Sequence, residues 1–102
     1  MMYELQTKYD GRKSFYSKAI VKQVDNVAWL YSYGNKICEV KVTQLDDIEV
    51  KIFNQRGTDL TFSKTSLRHL KEYLKQSGLE ATSKAQIMRD YTIVEVDNYE
   101  RI

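Results

Sequence analysis

The sequence predicts an α+β fold: an antiparallel meander of four to five strands, with one main helix packed across it and a short second helix. Apolar and polar residues alternate along successive segments between 14 and 53, as in a sheet with one face on a core and the other in water. Residues 62–78 then adopt the three- and four-residue apolar spacing of an amphipathic helix. No proline interrupts the chain, so we expect residues 1–102 to form a single domain.

Segments that alternate in polarity or are rich in β-branched and aromatic residues predict the strands, and turn-forming residues separate them. These segments are 2–7 (a short strand or a loosely held arm), 14–24, 27–33, 36–43, 47–53 and 91–97. Asp25-Asn26 and Gly34-Asn35 are predicted two-residue turns, because their residues tolerate positive φ. The tail at 98–102 is expected to fray.

Strands 36–43 and 47–53 show the clearest alternation of apolar and charged side chains. The apolar set is expected to face the core: Cys38, Val40, Val42, Ile48, Val50 and Ile52. Cys38 is therefore predicted to be an inert buried thiol. With one cysteine the chain forms no internal disulfide, which is typical of a reducing compartment.

The clearest helix in the sequence spans 63–77. Ser63 or Thr65 can cap its first turn, and Gly78 suits the left-handed position that ends a helix. Its predicted apolar stripe consists of Leu67, Leu70 and Leu74, with Tyr73 at the edge. A second, shorter helix is predicted over 82–90, where a Thr-Ser pair supplies the cap.

Positive side chains form a row beside this apolar stripe, and we call them the basic ridge: Lys64, Arg68, Lys71 and Lys75. Their spacing of four, three and four residues places them on one narrow strip of the helix. One interpretation is a solvated helix flank, the ordinary role of surface lysines. The other is a surface for phosphate or for an acidic protein groove, since Glu72 alone offsets the four charges. Both interpretations remain open at this point.

Aromatic residues are frequent: eight tyrosines, three phenylalanines and one tryptophan. Trp29, Tyr31 and Tyr33 alternate along one strand and would project from the same face. They are expected either to form the core under the helix or, if Leu30 and Ala28 face inward, to form an exposed platform on which unpaired bases stack. The sequence leaves both alternatives open.

Signatures of catalysis are missing from the chain. It contains no Gly-rich phosphate loop and no nucleophile elbow, and one His with one Cys cannot supply a usual zinc site. His69 is expected to lie away from the apolar stripe, so a Cys38–His69 nucleophilic pair is not expected. We therefore expect a protein that is not an enzyme and that uses no cofactor, metal or small-molecule substrate. The polar N-terminal segment and the lack of a long apolar run predict a cytoplasmic protein without a membrane partner.

Two stretches carry a resemblance to a known family. LYSYGNKICEV at 30–40 and FSKTSLRHLKEYLKQSGLEATSKAQI at 62–87 are similar to a family of small proteins carried by phages, plasmids and integrated elements of Gram-positive bacteria. Some proteins from that setting look like anti-CRISPR inhibitors of Cas9. The resemblance implies a protein of a mobile genetic element that binds Cas9, its guide RNA or both, and acts on guide-RNA binding or ribonucleoprotein assembly.

The net charge of the chain favours one mode of Cas9 inhibition over another. Inhibitors that mimic DNA are strongly acidic, whereas this chain has a net charge of +2, so the basic ridge suits guide RNA or an acidic protein surface better. The alternative function is a single-stranded nucleic-acid-binding accessory protein of phage or plasmid replication. A homodimer is also open, because the edge strands of a small meander can pair between chains.

Overall fold

The computed structural model describes all 102 residues and contains one six-stranded sheet whose strand order follows the chain. The strands are β1 (Met2–Glu4), β2 (Ala19–Val24), β3 (Val27–Ser32), β4 (Asn35–Val42), β5 (Ile48–Gln55) and β6 (Thr92–Val96). A short 3-10 helix at Leu60–Phe62 leads into α1 (Lys64–Gln76), and α2 spans Lys84–Asp90. The predicted α+β class is confirmed, although the sheet has six strands rather than four to five. Neither α-helix has the length and apolar character needed to cross a membrane.

Strands β1 to β5 form a meander, but the last strand, β6, does not continue it. Each neighbouring pair from β1 to β5 is antiparallel, as the alternating pattern predicted. β6 instead lies parallel to β5, because α1 and α2 return the chain to the starting end of β5 before β6 begins. The sheet is therefore mixed, with one parallel pair at its edge.

The turn between β3 and β4 lies one residue before its predicted position. Ser32 pairs with Asn35, so Tyr33 and Gly34 form the turn, with φ values of 51° and 80°. Positive φ at both central residues is the type I′ geometry that matches the twist of a hairpin. The shift removes Tyr33 from β3. The turn at 25–26 lies where it was predicted.

The main helix begins and ends as predicted. The Ser63 side chain accepts a hydrogen bond from the backbone N–H of Ser66, which caps the first turn. At the other end Gly78 has a φ of 78°, and the N–H of Leu79 donates to the carbonyl of Leu74 at 2.9 Å. This is the bonding of a Schellman motif, in which a left-handed glycine ends the helix.

The core lies between α1 and one face of the sheet. Leu70, Leu74 and Tyr73 of the predicted stripe are buried, and Leu67 lies at the margin. The sheet contributes Ala19, Val21, Leu30, Ile37, Cys38, Val40 and Ile52. Ile87 of α2 belongs to the same cluster. Both helices therefore lie on this face of the sheet, and neither lies on the opposite face. Val42 and Ile48, predicted to face the core, pair with each other at an end of the sheet that the cluster does not reach, and both are exposed.

The C-terminal tail is held in place rather than frayed. The N–H of Ile102 donates to the carbonyl of Gly34 at 3.0 Å. Tyr99 packs against the core, and its hydroxyl lies 2.8 Å from Thr61 Oγ1. The expected fraying was wrong because these partners lie far away in the sequence, where local composition gives no sign of them.

Candidate nucleic-acid interface

Glu72 of α1 anchors the loop between β1 and β2 against the helix. Its side chain is buried, and Oε1 accepts hydrogen bonds from the backbone N–H groups of Lys8, Tyr9 and Asp10 at 3.0, 2.8 and 2.8 Å. Oε2 accepts a further hydrogen bond of 2.7 Å from Gln76. Burial alone would raise the pKa of Glu72, but these hydrogen bonds outweigh it and hold the pKa below the ordinary value of 4.5. The carboxylate is therefore a structural anchor that forms no ion pair with the basic ridge.

The anchored loop and α1 form the two walls of an open groove of about 690 Å³, which we call the basic groove. The lining residues are Tyr9, Asp10, Gly11, Arg12, Arg68, Lys71, Glu72 and Lys75. Four of these residues are cations and two are acids, and one of the acids is the buried anchor. The groove therefore presents a surplus of positive charge to solvent.

The structure divides the basic ridge. Arg68, Lys71 and Lys75 line the basic groove, whereas Lys64, a turn earlier, is exposed and lies outside it. Arg68 Nη1 lies 3.6 Å from an Asp10 carboxylate oxygen, and this is the one ion pair that the ridge forms. Lys64, Lys71 and Lys75 form no ion pair with the chain's own carboxylates, so their charges are available to a ligand.

Arg12 is a groove residue that the sequence did not single out. The Asp10 side chain accepts a hydrogen bond of 2.8 Å from the backbone N–H of Arg12, a local turn that fixes the tip of the loop. The Arg12 side chain is exposed and forms no ion pair. The only signal for it was the excess of basic over acidic residues in 1–24, five against two. That excess did not indicate which of the five would face α1.

The groove cations suit a chain of phosphates. Arginine offers a planar fork of donors that matches a phosphate oxygen pair, and lysine supplies a mobile point charge. The predominantly polar lining, with Tyr9 as its one hydrophobic residue, differs from the apolar cavities that bind small molecules. The arrangement can therefore hold a polyanion by charge.

Trp29 and Tyr31 lie on the sheet face opposite α1, because Leu30 and Ala28 pack toward the core. These two rings therefore do not form the core under the helix; Trp29 is partly exposed, whereas Tyr31 is only 7% exposed and offers little surface to a ligand. Tyr33 does not share that face: it lies in the turn, 47% exposed, and its ring centroid is 5.6 Å from that of His69. The expectation that all three rings project from one face is therefore wrong for Tyr33, since the turn begins one residue early.

His69 is buried, 1% exposed, although it was expected to lie away from the apolar stripe. Its Nδ1 lies 2.7 Å from Ser32 Oγ, which in turn lies 3.0 Å from Ser66 Oγ. The ring of Phe15 packs edge-on at 4.6 Å, and Nε2 has no hydrogen-bond partner. Burial lowers the pKa of His69 to about 4, so the ring is neutral at physiological pH.

Cys38 is likewise a core residue. Burial raises the pKa of its thiol far above the ordinary value, so the nucleophilic thiolate does not form at neutral pH. The hydrogen-bonding partner of His69 is Ser32 rather than this thiol. The structure contains no group of three or more His, Cys, Asp and Glu residues that could hold a metal ion.

One family comparison covers most of the chain. The sequence model of DUF8033, described as a family of unknown function, matches residues 3–89. This span runs from β1 to α2 and includes every residue of the basic groove. No curated protein and no solved structure matches the chain significantly. From the extent of the family match, the chain belongs to DUF8033.

Proposed function

We propose that this chain is a non-enzymatic interaction protein of a mobile genetic element that binds RNA through the basic groove. One observation carries the proposal: Arg12, Arg68, Lys71 and Lys75 converge on a single open groove. Three of them, all but Arg68, form no ion pair within the chain. Such cations replace the counterions of a phosphate backbone, and the released counterions drive binding.

The RNA that we propose is the guide of Cas9, bound so that loading or ribonucleoprotein assembly is blocked. The support for this partner is the resemblance of residues 30–40 and 62–87 to small proteins of Gram-positive mobile elements, some of which look like Cas9 inhibitors. The positive surplus of the basic groove favours a grip on RNA over mimicry of DNA, since a mimic needs an acidic surface. Inhibition then requires no catalytic residue.

A gel-shift assay with guide RNA, alone and in the presence of Cas9, tests the proposal together with a Cas9 cleavage assay. We expect a shift of the guide RNA. We also expect strong inhibition when the protein is added before the guide is loaded, and weaker inhibition when it is added afterwards. A Lys71→Gln/Lys75→Gln variant should lose both effects. No shift with either component, combined with full cleavage, would remove the proposal.

A second candidate is an accessory protein that binds any single-stranded nucleic acid during phage or plasmid replication. The sheet face opposite α1, with the partly exposed Trp29, favours this candidate because aromatic side chains stack on bases of any sequence. Phosphate contacts in the groove also carry no sequence information. Equal affinity for guide RNA and an unrelated strand of the same length, with Cas9 cleavage unaffected, would select the accessory role.

A further inference from the structure

Aromatic side chains surround a lysine on the sheet face that neither helix covers. The Nζ of Lys36 on β4 lies 5.9 Å from the ring centroid of Trp29 on β3 and 5.1 Å from that of Phe53 on β5. Tyr31 pairs in register with Lys36 and so adjoins it on the same face. Three neighbouring strands therefore bring together three rings and one ammonium group, and of the three rings Tyr31 is the most buried, at 7% exposed. Trp29 and Phe53 remain partly exposed.

Hydrogen bonding and charge pairing hold this cluster in place. The indole N–H of Trp29 donates to a carboxylate oxygen of Glu39 at 2.9 Å. The ammonium of Lys36 is paired with the carboxylate of Glu100 in the C-terminal tail. A ring that is already fixed loses little conformational freedom when a ligand stacks on it, which favours binding.

The rim of the cluster is positively charged. The strand register places Lys22 directly beside Trp29 and Lys51 directly beside Glu39, while Lys41 follows two residues later on β4. These three lysines are exposed and form no ion pair within the chain. An apolar protein partner would have to bury these charges, which is costly. A single nucleic-acid strand suits both the rings and the lysines of this face, because its bases stack on aromatic rings while its phosphates contact lysines.

We propose that this sheet face, centred on Trp29 and Phe53, is a stacking site for unpaired bases of single-stranded RNA. The proposal deepens the proposed function and rests on it for the ligand class, but it uses a face opposite α1 and hence separate from the basic groove. The groove holds phosphates without reading bases, and the sheet face selects strands with unpaired bases. A structured RNA with both a backbone run and an open loop would engage both sites.

Trp29 is the only tryptophan, so its fluorescence reports on this site alone. The test titrates the protein with a six-nucleotide oligouridylate and with an abasic sugar-phosphate hexamer of the same charge. We expect saturable quenching by the oligouridylate and little by the abasic strand. Phe53→Leu should weaken the oligouridylate affinity roughly tenfold, within the range for losing one stacking ring. Lys71→Gln/Lys75→Gln, a variant of the groove, should leave this affinity within about twofold of the wild-type value.

Several outcomes would overturn the stacking site. Equal quenching by the abasic strand would mean that phosphates alone are bound, and loss of quenching in the groove variant would place the short strand in the basic groove. Unchanged affinity in a folded Phe53→Leu variant, checked by circular dichroism, would also overturn it. Quenching that follows protein concentration, with dimers in sedimentation, would mean that a second copy covers the face. If guide RNA binds through the groove but the oligouridylate does not quench, the proposed function stands and this inference fails.

Discussion

Glu72 Oε1 and the backbone N–H of Asp10 meet at 2.8 Å, although the two residues lie 62 positions apart in the chain. This hydrogen bond and its two neighbours, from Lys8 and Tyr9, join the loop after β1 to the middle of α1. The same loop then brings Arg12 to the groove that α1 lines. The basic groove therefore depends on a buried carboxylate that is hydrogen-bonded within the chain.

We expect Glu72→Gln to lower the free energy of unfolding by about 2 kcal/mol, because hydrogen bonds to a charged acceptor contribute more than those to a neutral one. Urea unfolding measures this change. The loop should also loosen, so guide-RNA affinity should fall even though the net charge becomes more positive. Glu80→Gln is the matched control, since Glu80 is exposed and its side chain forms no hydrogen bond. Equal stability of the two variants would show that the loop is held by other contacts.

Acid should destabilise the protein in two steps, and His69 governs the first. The unfolded chain takes up a proton on this residue near pH 6.5, whereas the folded chain does so only near pH 4. As the pH falls through this interval the unfolded state is favoured progressively, at about 1.4 kcal/mol per pH unit and so roughly 3 kcal/mol in all. Urea unfolding between pH 7 and 4 measures the loss. His69→Gln should flatten the profile in this interval.

His69 is the only histidine, so its imidazole resonances in an NMR titration are unambiguous. A midpoint near 6.5 would contradict its burial. The second acid step belongs to Glu72, whose folded pKa is depressed. Its contribution to stability is fully present above its ordinary pKa of 4.5 and is lost as the pH falls through the lower folded value.

The lysines of the basic ridge look equivalent in the sequence, but only Lys71 and Lys75 line the basic groove. Lys71→Gln and Lys75→Gln should each weaken guide-RNA binding several-fold, because each removes an unpaired groove charge. Lys64→Gln removes the same charge from the same helix outside the groove, so its effect should be small. Fluorescence anisotropy with labelled guide RNA at fixed salt compares the three variants. Equal losses would mean that net charge, rather than the groove, determines binding.

Gly78 should be sensitive to any side chain. With a φ of 78° it lies in the left-handed region, so Gly78→Ala should cost about 1 kcal/mol of unfolding free energy. Gly11→Ala is the control, because Gly11 has no positive φ and a Cβ there would meet open space. Thermal or urea unfolding compares the two. A neutral Gly78→Ala would mean that the helix end tolerates another conformation.

Local patterns were sufficient to predict the elements, but not all of their partners. The cap at Ser63, the end at Gly78 and the buried leucines of α1 follow from residues within one or two turns of one another, and all were predicted. The parallel pairing of β6 with β5 depends on where two helices return the chain, which the sequence of 92–96 does not encode by itself.

The buried polar residues of α1 were misjudged for the same reason. Glu72 and His69 have the spacing and polarity of surface positions, and their burial is compensated by Asp10 and Ser32, 62 and 37 residues away. The pattern of residues along one helix cannot show that a distant loop will donate hydrogen bonds to a buried carboxylate. The position of Tyr33 was missed because a shift of one residue in a hairpin turn changes which residues remain in the strand.

The dependence of RNA affinity on salt tests the central claim most directly. The slope of the logarithm of the association constant against the logarithm of salt concentration counts the phosphates that the protein neutralises. For guide RNA, replacing Arg12, Arg68, Lys71 and Lys75 together with glutamine should reduce this slope by roughly three, at about 0.7 per contact with a single strand. A folded quadruple variant that keeps the wild-type slope would contradict the account, because the RNA would then be held somewhere other than the basic groove.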